Sequence, residues 1–117
     1  MRLKSELWVK AYLRRRASHG QFAAVVRRGD TDAGAIYIII NRLDGTLTLY
    51  GPAPGGLDDS GDGDRQWMRM HVPDAIPETE SVTILDRARS FDEDLWVIEV
   101  EDRSGHHAFA GTELAKM

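Results

Sequence analysis

The sequence contains no cysteine among its 117 residues. Disulfides, thiol catalysis, iron–sulfur clusters and cysteine-ligated zinc are therefore excluded, and packing must stabilise the fold. Long apolar runs are also missing: the longest, Ala35 to Ile40, has six residues, whereas a membrane-spanning helix needs about 20. The basic N-terminus is not followed by the apolar segment of a signal peptide. These absences predict a cytoplasmic protein that does not associate with a membrane.

Sequence signatures of catalysis are absent as well. The chain has no HExxH, GxSxG, P-loop or GxGxxG pattern, so it offers no known zinc, nucleophile or phosphate motif. The four histidines lack metal-ligand spacing, and the adjacent His106 and His107 would point to opposite faces of a strand. We therefore expect structural or surface histidines, no bound metal and no cofactor. One enzymatic hypothesis is left, a small hydrolase that uses His71 or His107 with Glu99 or Asp102.

Positive charge is concentrated at the N-terminus. The first 28 residues hold eight Lys or Arg and one acid, whereas the whole chain has a net charge of −4. An acidic protein with a basic end either presents that end to an anionic partner or neutralises it against its own acidic surface. Since Arg fits phosphate oxygens, nucleic acid or another polyanion is the partner that the first alternative implies.

The basic residues do not form one continuous face. Three consecutive helical residues are each rotated by about 100°, so Arg14, Arg15 and Arg16 form a collar around a helix. The stretch from Arg27 to Asp30 is the most site-like loop because it combines both charge signs with main-chain amides, although Asp30 can simply cap its own turn. The candidate residues for binding an anion or a partner are Arg14, Arg15, Arg27, Arg28 and Asp30.

Residues 51–65 are rich in Gly, Pro and Asp and predict a mobile acidic loop within a single domain that spans residues 1–117. The spacing of Asp58, Ser60 and Asp62 before Gly63 is similar to the start of a calcium-binding loop. Arg69 occupies the twelfth position, where an EF-hand needs a bidentate Glu, so the EF-hand is excluded. Weak binding of a divalent ion is left open.

The apolar pattern predicts two helices and five to six strands. A first helix is expected over residues 6–19, with Ser5 as its N-cap, His19 helping to close it and Gly20 in the left-handed conformation. Asp44-Gly45 predicts a type I′ hairpin between two strands. The strands are expected at 22–28, 35–41, 46–50, 67–72, 95–100 and 107–110, and a second helix at 78–91. The order α-β-β-β-β-α-β-β predicts an α+β fold with a mainly antiparallel sheet.

Several phrases occur together along the chain: Ser5 to Arg15, Arg27 to Asp30 with Ala33-Gly34, Asn41 to Gly45 with Tyr50 to Pro52, and Phe91 to Asp102. In these phrases the chain resembles an uncharacterised family of short alphaproteobacterial proteins, a domain of unknown function. The resemblance implies a bacterial, single-domain, cytosolic protein. It implies no activity, cofactor or catalytic residue.

The sequence therefore favours a non-enzymatic protein-interaction module over an enzyme. Another protein is the expected partner, and self-association through the basic and acidic ends is the simplest version. Nucleic-acid binding through the basic N-terminal region is the alternative, and a small hydrolase is the second alternative.

Overall fold

The computed structural model describes residues 3–53 and 65–105, together with the main chain of residues 114–115. The sheet of these residues runs in the order β1-β6-β2-β3-β4-β7, and β5 pairs with the start of β3. The α+β class, the two helices and the mostly antiparallel sheet are confirmed, and parallel pairing occurs only for β2–β6 and β4–β7 among the described strands. The elements are α1 (Ser5–Ser18), β1 (Ala23–Arg27), β2 (Ile36–Asn41), β3 (Thr46–Pro52), β4 (Trp67–Arg69), β5 (Ile76–Pro77), α2 (Glu78–Phe91), β6 (Trp96–Glu101) and β7 (Leu114–Ala115).

The two helices cover opposite faces of the sheet. Side chains alternate along each strand, so Trp96, Ile98 and Val100 of β6 face α1, while Val97 and Glu99 face the side of α2. On the α1 side, Val9 and Tyr12 pack into one buried cluster with Ile36, Ile38 and Ile40 of β2. On the α2 side, Leu49, Ile76, Leu95 and Val97 form a second cluster, against which Leu85 packs. The result is three layers, with the sheet in the middle.

α1 begins at Ser5, and its predicted N-cap is wrong. The hydroxyl of Ser5 is buried and donates to the carbonyl oxygen of Gly34 at 2.6 Å. The first free N–H groups of the helix are satisfied by main-chain carbonyls instead, since Ser5 N–H donates to Asp32 and Glu6 N–H to Thr31. The loop before β2 therefore does the work that a capping side chain does elsewhere.

The end of α1 follows the prediction. Gly20 has φ +77°, directly after the cap residue His19. The ring Nδ1 of His19 lies 2.8 Å from the carbonyl oxygen of Arg15, one of the last carbonyls of the helix. A glycine in the left-handed region and a hydrogen-bonding imidazole thus close the helix.

The hairpin between β2 and β3 is confirmed, but its type differs from the prediction. Arg42 N–H donates to the carbonyl oxygen of Thr46, and positive φ angles occur at Leu43 (+64°) and Gly45 (+90°). The loop therefore has three residues between the pair at 42 and 46, not the two of a type I′ turn. The side chain of Asp44 accepts hydrogen bonds from Thr46 N–H and Oγ1, which stabilises the longer turn.

β6 separates two strands that follow each other in the chain. It pairs antiparallel with β1 and parallel with β2, so the connection from β1 to β2 must cross the start of β6. Gly29 and Gly34 lie at this crossing, and a Cβ on either would stand 2.1 Å from the carbonyl oxygen of Asp94. Glycine is required here by a close approach of two main chains.

α2 covers its sheet face only in part. The helix matches the predicted residues 78–91 and contacts β5 and β3. Ile84, Leu85 and Ala88 pack against the sheet. Val82 and Phe91 belong to the same apolar pattern, yet they are 51% and 85% exposed. The helix therefore leaves apolar side chains outside the core.

Parts of the predicted pattern differ or lie outside the described residues. β3 continues through Gly51 and Pro52, which pair with β4, so the predicted loop begins later than residue 51. β4 has three residues instead of six, and β5 was not predicted. The remaining loop at 54–64, with its calcium-like spacing, and the predicted strand at 107–110 fall outside the described residues. Neither α1 nor α2, the helices of the described part, is long and apolar enough to cross a bilayer.

Candidate functional site

A groove lies between α2 and the edge strand β1. Its floor contains Ile39 and Val97, and its walls contain Val26 from β1 and Val82 and Leu85 from α2. The volume of the groove is about 510 Å³, within the range of about 300–1,000 Å³ that is usual for binding sites. We call it the β1–α2 groove. The groove exists because α2 packs over β3 and β5, while the same face of the sheet continues to β1.

A β-bulge in β1 forms one wall of the groove. Val25 pairs with Ile98 and Arg27 with Val97, so Val26 is an extra residue opposite β6. A bulge directs two successive side chains to the same face of a sheet. Val26 and Arg27 both line the groove, and Val26 is 60% exposed. The bulge thereby places an apolar and a cationic side chain next to each other at the opening.

The groove carries opposite charges at its two ends. α2 runs antiparallel to β6, so Arg89 in its last turn lies at the same end as Arg27, while Glu78 in its first turn lies at the end of Glu99. Eleven residues separate Glu78 from Arg89, a rise of about 16 Å. Asp86 lies 3.8 Å from Arg89 and offsets part of the basic charge. An apolar segment of matching length would be oriented by these charges.

Two polar contacts fix the charged ends. At the basic end, Nη2 of Arg27 donates to the carbonyl oxygen of Glu93 at 2.7 Å. At the acidic end, Nδ2 of Asn41 donates to Oε2 of Glu99 at 3.1 Å. Both side chains are only partly buried, so each keeps a side that faces the solvent.

Arg28 and Asp30, two of the predicted site residues, lie close together and make internal contacts. Arg28 pairs with Glu6 and its guanidinium lies 5.2 Å from the ring of Trp96. The hydrogen bond from Arg28 holds the pKa of the Glu6 carboxyl below its usual range. Asp30 accepts from the main-chain N–H groups two and three residues further on, at 3.0 and 2.8 Å. Asp30 therefore caps its own turn, the structural alternative considered for it.

Arg14 and Arg15 lie apart from the other candidates. Both are exposed near the end of α1, whereas Arg28 contacts Glu6 in the first turn. The nine residues from Glu6 to Arg15 correspond to about 13 Å along the helix. The structure places Arg28 and Asp30 near the first turn of α1 and Arg27 in the groove on the α2 side, and it leaves Arg14 and Arg15 at the other end of α1.

Arg16 shows how the basic collar is divided. It is only 3% exposed, its guanidinium lies 5.4 Å from the ring of Tyr12, and Nη1 donates to Gln21 at 2.7 Å. Gln21 in turn donates to Asp102 at 2.6 Å. One of the three consecutive arginines is thus part of the packing of α1, which removes it from the surface.

Both nitrogens of His71 are occupied by the main chain. Nε2 accepts from Leu49 N–H at 3.0 Å, and Nδ1 lies 2.6 Å from the carbonyl oxygen of Pro73. A neutral ring with its proton on Nδ1 satisfies both contacts. Burial lowers the pKa of His71, and the nearby Arg69 lowers it further, against the hydrogen bond to Pro73. His71 is therefore a neutral, structural side chain.

This arrangement bears on the hydrolase hypothesis. His71 has no free nitrogen to serve as a base, while Glu99 is hydrogen-bonded to Asn41 and Asp102 to Gln21. The other proposed base, His107, lies outside the described residues. Within residues 3–53 and 65–105, no group of three His, Asp or Glu side chains is arranged to hold a metal ion.

Sequence reasoning found Arg27 but missed the rest of the groove. Val82, Leu85 and Arg89 lie in the second predicted helix and Val26 in a predicted strand, but neither pattern predicts a groove between them. The spacing of 78, 82, 85 and 89 shows that these residues share one face of α2. One side of this helix face packs against the sheet, and the other side borders the β1–α2 groove. No sequence signal marks the bulge, because Val-Val is ordinary in a strand.

Comparison with solved structures supports the fold. A crystal structure of a DUF1491 family protein from Caulobacter crescentus is 34% identical to this chain, with a TM-score of 0.75, and the match covers 97% of this chain and 99% of that one. A solution structure of a protein from A. tumefaciens is 41% identical, with a TM-score of 0.73 and 86% coverage of both chains. An NMR structure of a DUF1491 family protein from C. crescentus is 36% identical, with a TM-score of 0.70, and covers 97% of this chain and 98% of that one.

No curated protein matches the chain. A family model described as "Protein of unknown function (DUF1491)" matches residues 3–110. This match spans both helices and β1 to β6, and it agrees with the resemblance to an alphaproteobacterial family of unknown function. The chain belongs to the DUF1491 family.

Proposed function

We propose that this protein is a non-enzymatic protein-interaction module and that the β1–α2 groove is its binding surface. The observation that carries the proposal is the groove itself, an apolar cleft with a basic and an acidic end beside an edge strand. An apolar centre contributes affinity, and the separated charges set the orientation of the bound segment.

A protein segment fits this surface better than a small metabolite. The groove walls Val26 and Val82 are each more than half exposed, and the apolar surface continues beyond the groove to the exposed Phe22. Exposed apolar side chains beside a sheet edge are typical of protein contacts. A partner segment with an apolar centre, a basic residue toward Glu99 and an acidic residue toward Arg27 matches the charges. The charged residues at the two ends orient the partner segment and take part in no chemical step.

Two further inferences belong to this proposal. We infer a cytoplasmic location, which is supported by the absence of cysteine because a reducing compartment gives no use for disulfides. Polyanion binding remains the alternative function, with Arg14 and Arg15 as its exposed cations. Their separation from Arg27 and Arg28 leaves that alternative with fewer charges on one surface.

Site-specific photo-crosslinking tests the proposal. The photoreactive amino acid p-benzoylphenylalanine replaces Val82 at the groove or, as the matched control, Arg87 on the exposed far side of α2. In alphaproteobacterial cells we expect discrete protein adducts from position 82 that are absent from position 87. Adding Arg89→Glu, which reverses the charge of the basic end, should reduce the adducts from position 82.

Two results would contradict the proposal. One is an identical adduct pattern at positions 82 and 87, which would indicate random collision. The other is an absence of adducts at position 82 under conditions where the crosslinker is active. Adducts that persist at full yield with Arg89→Glu would remove the role assigned to the charged end.

A further inference from the structure

The outer edge of β1 carries main-chain groups that no described strand pairs. β1 is the terminal strand of the sheet, and only β6 pairs with it among the described strands. The carbonyl oxygen of Phe22 accepts from Glu101 N–H at 2.9 Å, so Phe22 directs its main-chain groups toward β6. Because these directions alternate in an antiparallel pair, Ala24 also faces β6, while Ala23 and Val25 direct their N–H and C=O groups outward.

The side chains along this edge are apolar. Phe22 is 61% exposed, Val25 40% and Val26 60%. Sheet edges are normally protected by lysine, proline or an inward charge, and none of these occurs from residue 22 to residue 26. The bulge at Val26 interrupts the edge only at its far end. Within residues 3–53 and 65–105, the stretch from Phe22 to Val25 is thus an edge open for pairing.

We propose that a second copy of this chain pairs with this edge, strand β1 against strand β1, antiparallel about a two-fold axis at Ala24. This inference rests on the proposed interaction function and specifies a second copy of the chain as one partner. In this register Ala23 lies opposite Val25 of the partner subunit, and both residues direct their main-chain groups outward. Each such pair exchanges two hydrogen bonds, and the symmetry supplies the pair twice.

The same register matches the side chains. Ala24 meets its own symmetry copy in the closely spaced, non-hydrogen-bonded position, where a small side chain fits. Phe22 lies on the α2 side of the sheet by alternation from Ala24 and Glu99, and it stands opposite Val26 of the partner subunit. Val26 lies on that side too, since it lines the β1–α2 groove. Two exposed apolar side chains therefore cover each other, twice in the dimer.

Charge complementarity favours a second copy over an unrelated strand. β1 ends in Arg27 and Arg28, while its start lies beside Glu101 and Asp102, since the N–H of Glu101 donates to the carbonyl oxygen of Phe22 and Nε2 of Gln21 donates to Oδ2 of Asp102. In an antiparallel pair of identical strands, Arg27 and Arg28 of each copy lie toward Glu101 and Asp102 of the partner subunit. One sequence thus supplies both halves of the complementarity.

An engineered cysteine tests the register directly, because the chain has no other cysteine. Cα atoms opposite each other in a non-hydrogen-bonded pair lie about 4.5 Å apart, within disulfide range. We expect Ala24→Cys to form a disulfide-linked dimer under oxidised glutathione at least about tenfold faster than Thr83→Cys. Thr83 is an exposed position on α2 and serves as the control.

Sedimentation equilibrium of the unmodified chain gives the second measurement. We expect a dimer that high salt weakens, with a Kd raised about tenfold by Phe22→Lys and unchanged by Phe91→Lys, which alters an exposed phenylalanine outside β1. A salt-independent monomer up to about 1 mM would overturn the pairing. A dimer in which Ala24→Cys links no faster than Thr83→Cys would overturn it as well.

These results separate this inference from the proposed function. If the chain is monomeric but Val82 still gives adducts with another protein, the module stands and self-pairing fails. If Ala24→Cys links rapidly and position 82 gives no adducts beyond the control, self-pairing stands and the groove fails as a binding surface.

Discussion

Replacing His71 with Phe removes two hydrogen bonds while keeping a ring of similar size. The N–H of Leu49 loses its acceptor, and the carbonyl of Pro73 loses its donor. Leu49 is fully buried, whereas Pro73 is exposed. Water can therefore replace the second bond but not the first. The variant should fold to the same sheet with a lower free energy of unfolding.

The expected loss follows from these two environments. A buried N–H left without a partner costs about 1–3 kcal/mol, and a replaceable bond contributes about 0.5–1.5 kcal/mol. We expect His71→Phe to lower the free energy of unfolding by about 2–4 kcal/mol. Urea denaturation followed by tryptophan fluorescence measures this, since Trp67 and Trp96 are buried reporters. His71→Gln, whose amide oxygen can accept from Leu49, should recover roughly half of the loss.

The stability should also depend on pH through His71. Burial lowers its folded pKa below the usual value of 6.5, so the unfolded chain binds a proton more readily than the folded one. The contribution is complete above about pH 6.5 and is lost as the pH falls toward the folded pKa. His71→Gln should remove this slope between about pH 8 and pH 5. Equal stability of His71→Phe and the parent chain, or the same slope in His71→Gln, would refute the assignment of a neutral, doubly bonded ring.

Three further outcomes are expected. Gly29→Ala should lower the melting temperature several-fold more than Gly20→Ala, as measured by thermal denaturation. The new methyl group at position 29 would stand 2.1 Å from the carbonyl oxygen of Asp94, whereas position 20 has nothing within 4 Å. Ser5→Ala should cost about 1–2 kcal/mol in urea unfolding, since it leaves a buried carbonyl without its donor, and a loss near zero would contradict that role. Fluorescence anisotropy with duplex and single-stranded oligonucleotides should detect no salt-dependent binding to the parent chain. Salt-dependent binding that is lost in the double variant Arg14→Ala, Arg15→Ala would favour the polyanion alternative.

Elements with local signals could be predicted from the sequence. The residues of α2 follow from their helical spacing, and Gly20 marks the end of α1 as a left-handed position. The hairpin was located by Asp44-Gly45, but its type was wrong because Leu43 adopts a positive φ that no local preference indicates. In the three-residue loop the Asp44 carboxylate accepts from Thr46 N–H and Oγ1, as aspartate commonly does in turns.

Features set by distant residues could not be predicted. Serine is a common N-cap residue, yet the hydroxyl of Ser5 donates to the carbonyl oxygen of Gly34, 29 residues later in the chain. The position of β6 between β1 and β2 depends on pairing across the whole chain, and pattern alone does not give strand order. Of the candidate site, Arg27 was identified by its charge, whereas the groove depends on where α2 stops covering the sheet.

The position of β6 also constrains how the chain folds. β1 and β2 are synthesised early but do not pair with each other, and their shared partner β6 lies about 60 to 77 residues further along the chain. The entropy of closing such long loops is lost before the strand pairing stabilises the chain, so folding should be slow for a chain of this size. During synthesis the hairpin of β2 and β3 emerges before β6, and β1 has no partner among the described strands until β6 has left the ribosome. Until then both edges of β1 are unpaired, which is the state in which a strand can pair with another chain.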